Sequence, residues 1–145
     1  MMKLDEILDV EKIITAKTRI SQAEDKLELA EYCVKNHKYR DAASNMYYAI
    51  FNLCRAIINL DGFDTRSHHN LIGYFNYEYI HKREVFSDNS LASKIHALFN
   101  TRGQADYEMY FNGTEENMSE KLKEVKYIYS ELMDYINSVI VKIKD

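Results

Sequence analysis

Two charged residues continue a stripe that is otherwise apolar. Leu91, Ile95 and Leu98 recur at helical spacing, and steps of four from Leu98 reach Arg102 and then Asp106. At about 100° per residue both fall on the side that the apolar residues turn toward the core. A guanidinium is never neutral, so on such a face it needs a partner or a cleft. Two arrangements satisfy it. One is an internal ion pair, since Arg102 and Asp106 stand at i and i+4, where helical side chains meet. The other is a polar cleft at a helix–helix or subunit boundary, where Arg102 could hold a phosphate through two parallel N–H bonds. Tyr107 and Tyr110 are the tyrosines expected near such a cleft. His68 is the one histidine that opens a helical pattern, behind Ser67. His69 reads as solvated. His37, His81 and His96 are scattered, with no pair at the spacing of a helical metal site, so no metal is expected.

The elements that would carry these residues are helices. Leu4, Ile7, Leu8 and Ile14 suggest a short N-terminal helix within residues 1–16. A clearer stripe follows: Ile20, Ala23, Leu27, Ala30 and Val34, with Ser21 and Glu24 spaced as a capping box near its start. A third helix, from Tyr39 to Leu60, places Ala43, Met46, Tyr47, Ile50, Leu53, Cys54 and Ile57 inward. Tyr48, Phe51 and Ile58 widen that face, which makes it the central helix. Asp61-Gly62 closes it. Ser67 is placed to cap a helix carrying Leu71, Ile72, Phe75 and Tyr79, and another starts near Ser90. Asn112-Gly113 signals a turn, Thr114 is an N-cap candidate, and Leu122, Val125, Ile128, Leu132, Ile136, Val139 and Ile143 line a final helix.

The chain has 145 residues, no proline and only four glycines. Proline breaks helix interiors and marks turns, so its absence favours long helices with few connections. No alternation of period two suggests a strand, and no internal repeat or linker is visible. The expected architecture is all-α: one domain, an antiparallel up-and-down bundle of four to five main helices, with its core from about residue 20 to 144. Net charge is −4, so a general basic surface for nucleic acid is missing, although a local basic site remains open. Cys33 and Cys54 fall in apolar helical patterns and read as free thiols, which fits a cytoplasmic setting. No apolar run is long enough to span a bilayer, and the acidic, mixed N-terminus is unlike a signal peptide.

The stretch Asp41-Ala42-Ala43-Ser44-Asn45-Met46-Tyr47-Tyr48-Ala49-Ile50-Phe51, then Ser67-His68, then Arg102-Gly103-Gln104-Ala105-Asp106-Tyr107, resembles a HEPN domain. It is most similar to the small stand-alone HEPN proteins, from about Ile20 to the C-terminus. The resemblance implies a homodimeric bundle and a minimal nucleotidyltransferase as partner, in a toxin–antitoxin-like or defence module. It also implies RNA or nucleotide as ligand, and for many members a metal-independent ribonuclease activity without cofactor.

The catalytic pattern of that family is an arginine, four to six residues, and a histidine near the end of a long helix, two such sites facing each other across a dimer. Arg102 matches the arginine, and Tyr107 stands where the histidine should be. The chemistry needs a base for the ribose 2′-hydroxyl and a cation for the charge developing on phosphorus. A phenol, with a reference pKa of about 10, is a poor base at neutral pH. Tyr107 can instead bind phosphate or donate a proton, and His68 is the candidate imidazole from elsewhere in the chain. The plain alternative for His68 is a polar residue in the first turn of a helix. In related toxins a tyrosine near the motif receives a nucleotide from the partner enzyme, a part open to Tyr107 or Tyr110. A helical module that binds or dimerises without chemistry is the remaining expectation.

Overall fold

The computed structural model describes residues 4–107 and 115–145, with side chains described for 8–100 and 117–145. Five α-helices follow one another: α1 (Leu4–Lys35), α2 (Tyr39–Leu60), α3 (His68–Phe75), α4 (Leu91–Tyr107) and α5 (Glu115–Lys144). A π-helical turn, Asn76–Lys82, continues α3. No strand occurs among the described residues, and none of their helices is long and apolar enough to cross a membrane. The all-helical class expected from composition and periodicity is the one observed.

The core is organised around α2. From Met46 to Leu60 every residue is buried except Tyr48 and Arg55, which are half-buried. A helix apolar on all sides must be covered on all sides, and α1, α3, α4 and α5 all pack against it. The longest of these contacts is with α1, whose buried and half-buried residues facing the core repeat every seven positions. Ile13, Ile20, Leu27 and Val34 form one row, and Ala16, Ala23 and Ala30, each fully buried, form the other. On α2, Ala42, Ala49 and Ala56 recur at the same interval, also with no exposure. A seven-residue repeat keeps one seam of a helix facing its partner, and alanine in that seam lets two backbones approach closely.

This repeat explains a difference from the sequence reading. A short helix within residues 1–16 and a second one starting near Ile20 are instead one helix of 32 residues. Residues 15–19 look polar enough to be a connection, but Ala16 occupies the seam and joins the two stripes. Ser21 is therefore an exposed residue inside a helix, and the pair Ser21 and Glu24 caps nothing. The helix ends at Lys35, and His37, with a φ of 58°, closes the turn that follows. Lys38 N–H donates to the Cys33 carbonyl (2.8 Å) and His37 N–H to that of Val34 (3.2 Å).

Other boundaries follow the expected chemistry. Helix α2 ends before Gly62, whose φ of 86° strains any side-chain-bearing residue. Ser67 accepts a hydrogen bond from Asn70 N–H (3.3 Å), as a capping serine does. Asp88 accepts from the N–H and hydroxyl of Ser90 ahead of α4, from Lys94 (3.1 Å), and from the Tyr127 hydroxyl of α5 (2.8 Å). The expected turn at Asn112-Gly113 and the N-cap at Thr114 lie outside the described residues. The π-turn is the unforeseen element. In it Arg83 N–H bonds to the Glu78 carbonyl five residues back (2.9 Å). The buried Tyr79 hydroxyl donates to the Asp61 carboxylate at the end of α2. Arg83 donates to the same carboxylate (2.8 Å) and lies over the Tyr79 ring at 4.8 Å. These bonds anchor the wider turn to the bundle.

A second ionic tie joins α1, α2 and the loop after α2. Arg55 donates to Asp64 through two nitrogens (2.7 and 3.0 Å), and Arg19 adds a longer contact of 3.7 Å. The Arg55 bonds hold the Asp64 carboxyl down, to about 2, and the Ser90 and Tyr127 bonds hold Asp88 below its usual range. Lowered carboxylates stabilise the fold above their unfolded pKa of about 4, and that contribution is lost as pH falls through their folded values. Urea midpoints should therefore drop steeply between about pH 4 and pH 2. Asp64→Asn should flatten that drop, and an unchanged pH profile would contradict the assignment. The continuous α1 gives a separate test by urea denaturation. Ser21→Ala should be neutral within about 0.5 kcal/mol, whereas loss of a true N-cap costs about 0.5–2 kcal/mol. Ala23→Leu, which overfills the seam, should cost about 1–3 kcal/mol.

Candidate functional site

Helix α2 presents three aromatic residues, Tyr47, Tyr48 and Phe51, within one turn and a half. The first residue of α3 packs on them. The His68 ring stacks on Phe51 with centroids 4.0 Å apart and planes 25° apart, and meets Tyr48 edge-on at 5.5 Å. Its Nδ1 lies 3.1 Å from the Tyr47 hydroxyl oxygen. Tyr47 itself is only 2% exposed. Its ring touches Phe99 of α4 edge-on at 5.6 Å, so α4 closes the same group of rings. The Lys26 ammonium of α1 stands 5.8 Å from the Tyr48 ring. His68 is half-buried, not a freely solvated helix-start residue. Ser67 fixes where α3 begins and so where the imidazole enters.

The helix that carries Phe99 runs on without interruption to Tyr107. Leu91, Ile95 and Leu98 are buried, as the stripe required. Backbone register then places Arg102 one turn beyond Phe99 and Asp106 two turns beyond it. By helix geometry residues 99, 102 and 106 share one side, while residue 107 sits about 140° around the axis from residue 102. Arg102, Asp106 and Tyr107 thus have helical backbone positions, and their side chains fall outside the described ones. Tyr110 lies outside the described residues altogether.

Of the residues singled out in the sequence, the structure relates His68 and the Arg102 turn through two intervening rings, Tyr47 and Phe99. His37, His69, His81 and His96 are exposed. Among the described residues no three His, Cys, Asp or Glu side chains gather as a metal site would require. Cys54 is fully buried, and burial pushes its thiol far above the usual range, so it is an inert core residue. The part that the residue pattern alone does not assign is the cradle: Tyr47 and Phe51 read as core, and nothing in the spacing marks Phe99. The only signal was the crowding of aromatic residues on α2, which a core helix also shows.

What this arrangement can do follows from its parts. An imidazole has one nitrogen that can accept a proton and one that can donate. Arginine is the side chain best suited to a phosphate, and α4 carries one a turn beyond Phe99. The chain is similar to a UPF0332 protein of Pyrococcus horikoshii, 24% identical over 123 residues, covering 85% of this chain and 80% of that protein. It is 26% identical over 135 residues to a protein of Methanocaldococcus jannaschii named as a candidate toxin, covering 93% and 94% of the two chains. A UPF0332 protein of Thermotoga maritima is 26% identical over 116 residues, covering 80% and 85%. The profile of the HEPN domain matches residues 16–135, from the middle of α1 to well inside α5, and the chain belongs to that family.

Proposed function

We propose that this HEPN protein is a toxin-like module that acts on RNA, with Arg102 and His68 as its reactive pair and a minimal nucleotidyltransferase as its partner. The observation that carries the reading is the half-buried imidazole of His68, held in an aromatic cradle that Phe99 links to the Arg102 turn of α4. It supplies the kind of group that Tyr107 cannot, since a phenol is rarely ionised at neutral pH. The relative named as a candidate toxin supports the biological setting.

The chemistry needs no group beyond these and water. A ribose 2′-oxygen attacks the adjacent phosphorus while the His68 imidazole takes the 2′-hydroxyl proton. The Arg102 guanidinium binds two non-bridging phosphate oxygens and offsets the charge that gathers there. The bond to the 5′-oxygen breaks, that oxygen takes a proton from water or from the imidazolium, and the products are a 2′,3′-cyclic phosphate and a 5′-hydroxyl. Two copies of the chain, each with one such site, form the active unit in this reading. The net charge of −4 makes the contact local, so binding rests on a few phosphates and weakens with salt accordingly.

Cleavage of a short RNA with a chelator present tests this directly. Arg102→Ala should lower the rate about 100- to 1,000-fold and His68→Ala about 100- to 10,000-fold, in folded proteins. Tyr107→Phe should leave the rate close to that of the unaltered protein. Undiminished cleavage in either alanine variant, or none by the folded protein without substitutions, overturns the reading. The partner has its own test. After co-expression with a minimal nucleotidyltransferase, intact mass should rise by whole nucleotide units and map to Tyr107 or Tyr110. An unshifted mass counts against this partnership.

A further inference from the structure

The contact between Tyr47 and His68 sets more than the place of the ring. A neutral imidazole has one N–H and one basic nitrogen, and the partner of one nitrogen decides which role the other can play. Here Nδ1 faces the Tyr47 hydroxyl at 3.1 Å. The Tyr47 ring is fixed by Tyr48 (5.2 Å, edge-on), Phe51 (5.7 Å) and Phe99 (5.6 Å, edge-on), and it is almost wholly buried. Its oxygen is therefore a stationary partner on a rigid central helix, the condition for orienting a reactive group.

We infer that Tyr47 is a positioning residue, whose phenolic oxygen accepts the Nδ1–H of His68 and so leaves the basic lone pair on Nε2. The inference rests on the proposed role of His68 as base. If the phenol donated to Nδ1, Nε2 would carry the proton and the neutral imidazole would have no nitrogen left to receive one from the 2′-hydroxyl. With Nδ1–H donating, the bond survives the whole proton cycle. Nε2 takes the proton, the imidazolium has N–H on both nitrogens, and Nδ1 still donates to the same oxygen. No hydroxyl rotation is required. A carboxylate in the place of Tyr47 would stabilise the imidazolium through a full charge. A phenol orients the ring without that bias.

The test is the tautomer of His68, read from ring nitrogen-15 shifts in histidine-labelled protein at a pH where that ring has stopped titrating. The expected result is Nδ1–H as the main neutral form, giving way to Nε2–H in Tyr47→Phe, which keeps the aromatic ring and its stacking. An Nε2–H form in the unaltered protein overturns the inference, and so does a tautomer ratio that Tyr47→Phe leaves unchanged. The spectrum of the unaltered protein decides the direction of the bond even if the variant folds poorly. RNA cleavage is measured on the same samples. Tyr47→Phe should lower the maximal rate roughly 10- to 100-fold, by analogy with loss of the partner that orients a metal-bound histidine, with little change in KM. The expected tautomers without any cleavage would refute the ribonuclease reading and leave the positioning contact established. Cleavage with the opposite tautomer would do the reverse.

Discussion

A helix with no dry partner to spare on any side governs this protein. Between Met46 and Leu60 only Tyr48 and Arg55 reach even partial exposure, and the rest of the chain is disposed so as to cover α2. Burial of that many apolar side chains is the main source of stability in a chain of this size. It also sets a constraint. The polar groups of so central a helix must be satisfied inside the bundle, as Asn52 is by the Tyr48 carbonyl (2.9 Å) and Asn59 by that of Phe63 (2.8 Å). Tyr47 follows the same rule, and His68 is among its partners. A buried hydroxyl that must find a hydrogen bond thus meets a half-buried imidazole at the edge of the core.

The site and the core are consequently built from the same residues. Phe51 and Tyr47 are core side chains by burial and supports of the imidazole by contact. Such a site is rigid, because moving the imidazole would disturb close-packed rings. The ionic ties lie elsewhere: Asp61 with Tyr79 and Arg83 at the π-turn, Asp64 with Arg55 and Arg19 beside the α1–α2 pair, and Asp88 with Lys94 and Tyr127 between α4 and α5. Each ties a carboxylate at a helix end or in a loop to neighbouring helices, while the aromatic cradle joins the middle of α2 to the start of α3 and to α4.

Much of this was legible in the residues. The limits of α2, the Ser67 cap and the start of α4 after Ser90 follow from periodicity and capping chemistry, which are local. The continuity of α1 was not legible, because a polar run around Thr15 imitates a break between two helices when only the large apolar residues are followed. Ala16 belongs to the seam, and a small residue in a seam has little weight in a hydrophobic pattern. The π-turn was hidden for a related reason. Phe75 and Tyr79 keep an ordinary spacing of four, and the widening depends on Tyr79 and Arg83 both reaching Asp61. Arg102 drew notice as a charge on an apolar stripe. The significance of His68 needed the third dimension, since its cradle comes from residues 17 to 31 positions away.

The central claim is that an RNA phosphate is received beside His68, on the side of α2 where α4 carries Arg102. A titration of histidine-labelled protein with a short RNA bearing a 2′-deoxy substitution at the cleavage point reads this without any reaction. His68 should shift progressively and saturate, while the exposed His37, His81 and His96 act as internal controls and stay in place. Loss of the His68 shift in Arg102→Ala would tie the two residues to one phosphate. A titration that leaves His68 unmoved, or moves the control histidines instead, would contradict the account.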